Sequence, residues 1–275
     1  MIFQAGCLFL SLVGGIIGLP LDAEQDTSPY FDYPQRRIYN GDEAGLVPHM
    51  VALVISEYTK TFLCGASLIT KRHVLTAAHC VHGLKKNGAL MESARGIVGT
   101  NYWNKGGTQY TFSSNIPHPE WNSKTKKSDI GILITSQPVT LNEYVQIVTL
   151  NFNFIGGNVP VVVNGWGRLQ KDANNPSPSL QELQTYTIDS SSCASRIANP
   201  LNAATIFDPN RDICTFSDKN SGVYFGDSGS PVILQNTRQQ IAVVSRVFKS
   251  PTSRYPDLYV RVSAYKDWIL QIIRL

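Results

Sequence analysis

Gly226-Asp227-Ser228-Gly229-Ser230-Pro231 sets a serine in a run poor in bulky side chains. Such a turn can present one hydroxyl to a substrate while its backbone N–H groups stay free to bind an anion. A serine hydroxyl is a weak nucleophile until a base takes its proton. Taken alone, the hexapeptide reads equally as a surface turn, because Gly, Asp and Ser all favour turns. The base candidate is His79 in Thr76-Ala77-Ala78-His79-Cys80, where small neighbours leave the ring room for a partner on each side. The carboxylate candidate is Asp129 in Ser128-Asp129-Ile130-Gly131-Ile132-Leu133-Ile134. It opens an apolar strand, so partial burial is expected, and a buried charge needs a partner. A lone histidine is ordinarily a satisfied core residue, and a lone aspartate at a strand start ordinarily ends a loop. His49, His73, His82 and His118 lack small neighbours and are assigned no role.

The elements that must position these groups are short and β-like. Val51 to Ser56, Phe62 to Ile69, Asp129 to Thr135, Val159 to Val163, Val232 to Leu234, Ile241 to Val247 and Leu258 to Val262 are rich in Val, Ile, Leu and aromatics. Gly106-Gly107, Gly156-Gly157-Asn158 and Asn174-Asn175-Pro176 separate them. The pattern predicts an all-β sandwich or barrel. Only the C-terminus has clear helical spacing, at Tyr265, Trp268, Ile269, Ile272 and Leu275, with Ser263 as the expected N-cap.

The 275 residues have ordinary apolar content and a formal charge of +4, which fits a globular protein and gives no case for nucleic acid. Lys124, Lys126 and Lys127 form the clearest basic cluster and read as a solvated loop. Ile2 to Leu19 is apolar, broken by Gln4, Ser11 and several glycines. It reads as a signal peptide over 1–18, its end as late as Ala23, although no Lys or Arg follows Met1. Gly14-Gly15 and Pro20 make it a poor membrane span, so no membrane partner is expected. The acidic, proline-containing stretch after it, within residues 19–37, reads as a propeptide ending in Arg36-Arg37. Loss of the leader removes Cys7 and leaves Cys64, Cys80, Cys193 and Cys214, an even set suited to a secreted disulfide framework. Three pairings are open. The sequential one, Cys64–Cys80 and Cys193–Cys214, closes one short loop in each half. No Cys-x-x-Cys or His-x₃-His spacing points to a metal.

His79, Asp129 and Ser228 follow in that order, each in its own setting, and there the chain resembles the chymotrypsin-like serine peptidases. Cys64-Gly65-Ala66-Ser67-Leu68, Gly165-Trp166-Gly167, Val244-Ser245, Pro256-Asp257-Leu258-Tyr259 and Tyr265-Lys266-Asp267-Trp268-Ile269 carry the likeness from Ile38 to Leu275. It implies two six-stranded antiparallel β-barrels packed together, about 38–152 and 153–262, with a C-terminal α-helix over 263–275. The implied activity is that of a secreted, monomeric serine endopeptidase without cofactor or metal. Protein or peptide substrates, an activating trypsin-like protease and protein inhibitors are the implied partners. The implied catalytic residues are His79, Asp129 and Ser228, with the Gly226 and Ser228 N–H groups as oxyanion hole and Ser245 supporting Asp129. The resemblance makes Arg37 the activation site, with the freed Ile38 ammonium pairing with Asp227. The sequential disulfides belong to the same reading.

Departures from the family pattern gather at the substrate pocket, assigned to Gly222, Val223, Ser245, Val247 and Asp257. Gly222 stands six residues before Ser228, where trypsins carry Asp. Tyr224 replaces a cysteine, and no cysteine follows Cys214. Val247 replaces a common glycine, Arg246 a common Trp or Phe on the substrate-aligning strand, and Ser230 a common glycine. Gly222 with Asp257 resembles the brachyurin-type peptidases of crabs and insects, which have broad specificity. The expected preference is chymotrypsin- or elastase-like, for apolar residues, with basic residues as the alternative through Asp257. A catalytically weak or inactive homologue acting as a binding or regulatory protein is the alternative function.

Overall fold

The computed structural model describes residues 41–56, 58–170, 173–197, 207–217, 221–246 and 255–274. The expected leader and propeptide, with Arg37, Ile38 and Val247, lie outside these residues.

The first half forms a curled antiparallel sheet. Its strand order is Thr108–Tyr110, Ala94–Val98, Met50–Ser56, Lys60–Leu68, His73–Thr76, Gly131–Thr135 and Phe112–Pro117. The second half forms a sheet in the order Asp42–Glu43, Gln181–Ile188, Pro160–Gly165, Pro231–Leu234, Gln240–Arg246, Asp257–Arg261 and Asp212–Phe216. Its last strand pairs back onto Gln181–Ile188, with Tyr186 opposite Phe216 and Ile188 opposite Cys214, which closes a six-stranded barrel. Asp42–Glu43 is an added edge strand on that barrel. The expected all-β plan of two barrel-like sheets is observed, with the second closed as a six-stranded barrel and the first a curled, seven-stranded half-barrel.

Period-two alternation explains how one strand serves two neighbours. In Met50–Ser56, Val51 and Leu53 face the large core of the first half. Met50, Ala52 and Val54 face the other way, onto Trp166 and Leu180 from the second half. Trp166 is fully buried there, and its indole N–H donates to the Asn101 carbonyl at 2.8 Å. The seam between the halves is therefore apolar packing closed by specific polar contacts.

Three helical segments complete the described chain. Ala78–Gly83 holds His79 and Cys80. Ser190–Ile197 starts where the Asp189 carboxylate accepts the Ser192 N–H at 2.8 Å. Lys266–Ile273 lies at the C-terminus. The first has too few residues to show a helical period in the sequence, and the second buries only Cys193 and Ile197. At the third, Ser263 begins a 3₁₀ turn to Tyr265 instead of capping the α-helix, and Tyr265 holds the cap position without a side-chain cap bond. Packing accounts for this: Tyr265 is buried with its ring 4.9 Å from that of His118. Cys64–Cys80 and Cys193–Cys214 are the two disulfides, each with Cα atoms 6.1 Å apart.

Candidate active site

His79 enters its helix from the extended residue Ala77, and Cys80 ties that helix to the strand Lys60–Leu68. The imidazole Nδ1 lies 2.7 Å from Asp129 Oδ2, and the His79 backbone N–H donates to Asp129 Oδ1 at 2.9 Å. The Ser245 hydroxyl donates to Oδ2 at 2.7 Å. Asp129 is fully buried, two residues before the strand Gly131–Thr135 rather than on it. Three hydrogen-bond partners satisfy this buried carboxylate, and it fixes the orientation of the ring beside it. Gly131 lets the helix come this close, because a Cβ there would stand 2.7 Å from a Val81 methyl carbon and 3.4 Å from the Ala78 Cα.

Ser228 is half-buried on the turn before the strand Pro231–Leu234. The turn is fixed from both halves. The Ser228 carbonyl accepts the Gly65 N–H at 2.9 Å, while Gly229 N–H donates to Val244 O at 2.8 Å. Among the described residues, the N–H groups of Gly226 and Ser228 have no partner. Gly226 has φ of +105° and Gly229 of +81°, a region that side chains disfavour. A Cβ on Gly229 would stand 2.1 Å from Thr76 Oγ1 and 2.3 Å from the Gly65 carbonyl. Gly229→Ala is therefore expected to lower stability by about 2–4 kcal/mol, combining left-handed strain with overpacking. Urea denaturation of the two proteins measures it, and an unchanged midpoint would contradict this account.

Asp227 points away from the hydroxyl, into the protein. It is fully buried, and its two oxygens accept the Gly167 and Tyr224 N–H groups, each at 2.8 Å. Burial pushes its carboxyl up to about 6, partly offset by those two bonds. No cation reaches it among the described residues. Gly165 and Gly167 make room for it, since a Cβ on either would come within 2.4 Å of its oxygens.

Of the residues assigned to the pocket, Gly222, Val223 and Asp257 come together. A Cβ on Gly222 would meet Asp257 Oδ2 at 2.9 Å, so the missing side chain opens directly onto the Asp257 carboxyl. Asp257 Oδ2 accepts the Val223 N–H at 3.1 Å. Burial raises Asp257 to about 8, and Asp227 nearby adds to the rise, while bonds from Val223 and Tyr259 oppose it. The Tyr259 hydroxyl lies 2.7 Å from Thr215 Oγ1. The Val223 side chain packs into the barrel core with Ile213, Val244 and Tyr259. Tyr224 is buried, its ring 4.8 Å from that of the exposed Phe225.

Three features beside the site have no sequence signal. Arg246, next to Ser245, forms a nearly buried ion pair with Asp212 at 2.7 Å. Arg211 of the second half binds Glu120 at 2.6 Å and the Ser128 hydroxyl at 3.0 Å, which ties the segment before Asp129 across the seam. The Trp121 ring stands 6.5 Å from the His79 ring. Each pairs residues far apart in the chain, so no local pattern announces it.

Two curled antiparallel sheets, joined along a seam that carries a histidine–aspartate pair and a Gly-Asp-Ser-Gly turn, place the molecule among the chymotrypsin-like serine endopeptidases. The sequence profile described as Trypsin matches residues 38–269, and the chain belongs to the trypsin family. It is similar to "Trypsin, alkaline B" of Manduca sexta, 30% identical over 277 residues (95% of this chain and 98% of that one). It matches "Serine protease SP24D" of Anopheles gambiae at 30% over 280 residues (98% and 95%). "Chymotrypsin-2" of Vespa crabro is 30% identical over 236 residues (84% and 98%). The chain is thus a serine endopeptidase that acts on proteins. Relatives named both trypsin and chymotrypsin define the reaction without defining the side chain preferred at the cleaved bond.

Proposed function

We propose that the chain is a secreted endopeptidase made as a zymogen, with His79, Asp129 and Ser228 as its catalytic triad. The observation that carries this reading is the hydrogen-bonded chain from Ser245 through Asp129 to His79, beside a serine turn with two unpartnered N–H groups. Ser228 Oγ attacks the scissile carbonyl carbon, and His79 Nε2 takes the hydroxyl proton. Asp129 holds the proton on Nδ1 and stabilises the imidazolium. The developing oxyanion accepts the Gly226 and Ser228 N–H groups. Collapse expels the amine, which takes the proton back from His79. Water, activated by the same imidazole, then releases the acyl group.

Cleavage after Arg37 switches the site on. The freed Ile38 ammonium pairs with Asp227, which supplies the cation that this buried carboxyl lacks among the described residues. Burying either charge alone is unfavourable, so the turn bearing Gly226 and Ser228 settles only once both are present. At neutral pH the pocket floor is an uncharged Asp257 carboxyl, which favours apolar residues before the cleaved bond. A leader at 1–18, a propeptide at 19–37 and a monomeric peptidase domain from Ile38 complete the proposal. Among the described residues no helix is long and apolar enough to cross a membrane.

The test is to cleave the precursor after Arg37 and titrate it with a serine-directed organophosphate. Stoichiometric labelling at Ser228 is expected after cleavage, and little before it. Unlabelled protein after correct cleavage would sink the reading.

A further inference from the structure

Ser230 is fully buried, and its hydroxyl has no hydrogen-bond partner among the described residues. Its backbone is tied at both ends. The N–H donates to Asp227 O at 3.0 Å, and the carbonyl accepts the Val244 N–H at 2.9 Å. The side chain occupies space that two glycines vacate. A Cβ on Gly65 would stand 2.0 Å from Ser230 Oγ, and one on Gly165 would stand 3.3 Å from it. The same Gly165 Cβ would stand 2.1 Å from Asp227 Oδ1. Ser230 Oγ and Asp227 Oδ1 therefore border one space, the one that Gly165 leaves open, without bonding across it.

Burying an unpaired hydroxyl is unfavourable, and alanine would fill this position without that cost. A second arrangement in which the hydroxyl is paired accounts for its presence. The acceptor beside it is Asp227. Oδ1 accepts the Gly167 N–H and Oδ2 the Tyr224 N–H, which leaves each oxygen room for a further donor. No cation reaches this carboxyl among the described residues. The titratable groups that face it from the neighbouring strand, Asp257 and Tyr259, bring no positive charge.

We propose that Ser230 is a positioning residue whose hydroxyl turns onto Asp227 Oδ1 when the Ile38 ammonium is absent and yields when the ammonium arrives. The proposal rests on the activation reading above. A reserve donor steadies the unpaired carboxylate of the precursor and so opposes entry of the ammonium. A hydrogen bond to a charged group is among the stronger ones, so its loss is expected to tighten the Ile38–Asp227 pairing about tenfold.

An α-ammonium ordinarily loses its proton at about 7.7–8.0, and pairing with a buried carboxylate raises that value. Activity that depends on the pair is present below the raised value and lost as pH rises through it. Tenfold tighter pairing moves this alkaline limb up by about one pH unit. The experiment compares kcat/KM for one apolar peptide between pH 7 and pH 11 in the activated chain and its Ser230→Ala variant. Both carry Asp257→Asn, because the pocket carboxyl, raised to about 8, would otherwise titrate in the same range. The limb is expected about one unit higher in Ser230→Ala. A second measurement titrates a free peptide copying Ile38-Tyr39-Asn40-Gly41 into the uncleaved precursor and follows organophosphate labelling of Ser228. Half-maximal labelling is expected at about tenfold lower peptide concentration in Ser230→Ala. A hydroxyl that only packs would change thermal stability and leave both readouts in place. An alkaline limb that stays put or moves down in Ser230→Ala, or an equal peptide requirement, would overturn the proposal. Absence of any alkaline limb in the parent, with the precursor labelled as fast as the cleaved chain, would overturn the activation reading and this inference with it.

Discussion

Ser228→Ala lowers kcat by about 10⁶-fold while leaving the fold and peptide binding intact. That figure is typical of losing the nucleophile from a Ser–His–Asp triad, and removing more than one member costs little beyond it. Substituting Ala removes only the hydroxyl oxygen at a half-buried site, so the bonds from Gly65 to the Ser228 carbonyl and from Gly229 to Val244 persist. Asp129→Asn is expected to fall short of this, at about 10⁴-fold, because the amide favours the wrong imidazole tautomer without displacing the ring. Single-turnover kinetics on the activated protein, with circular dichroism as the control for folding, measures both. A drop below tenfold in the folded Ser228→Ala protein would place the nucleophile elsewhere.

The second large effect is a change of cleavage preference with pH. Asp257 is raised by burial to about 8 from an ordinary carboxylate value of 3.8. A raised carboxyl is neutral below its folded-state value and ionised above it. The ionised form favours a cationic P1 side chain, and the neutral form an apolar one. The ratio of kcat/KM for Lys or Arg over Leu or Phe at P1 should therefore rise about tenfold per pH unit up to about 8, then level off. This quantity reports the free enzyme, and taking a ratio cancels the titration of the triad common to both substrates. Asp257→Asn is expected to flatten the profile and hold the ratio at its low-pH value. A flat ratio from pH 6 to pH 9 in the unaltered enzyme would contradict the assignment.

The site was legible where chemistry demands small neighbours. Ala77 and Ala78 before His79, and Gly226 and Gly229 around Ser228, mark backbone that must bend tightly or approach closely. That constraint is local and survives in a linear string. Asp129 was legible as the polar start of an apolar run, although the run becomes strand only at Gly131. The strand Gln181–Ile188 was not legible, because its inward positions are Gln181, Leu183, Thr185 and Thr187. Gln181 is fully buried, with its amide Nε2 donating to Ser177 and Ser179. The strand His73–Thr76 is four residues long, too short for alternation to register. The arginine pairs at Glu120 and Asp212 depend on how the halves fold, which no window of neighbouring residues contains. Lys124, Lys126 and Lys127 show the same limit. Read in line they are a solvated loop, but the fold seats Lys126 against Trp121, whose ring stands 6.5 Å from that of His79.

The hydrogen bond from Gly65 to the Ser228 carbonyl has a consequence for how the enzyme inherits change. His79 follows the first sheet and Ser228 precedes a strand of the second, and this bond is one of those that join the two. Gly65 itself has no freedom, since a Cβ there would stand 2.0 Å from the Ser230 hydroxyl. A variant of one half is therefore judged by a surface that belongs to the other. The two sheets are obliged to evolve as one unit, as the apolar clusters that draw on both of them also require.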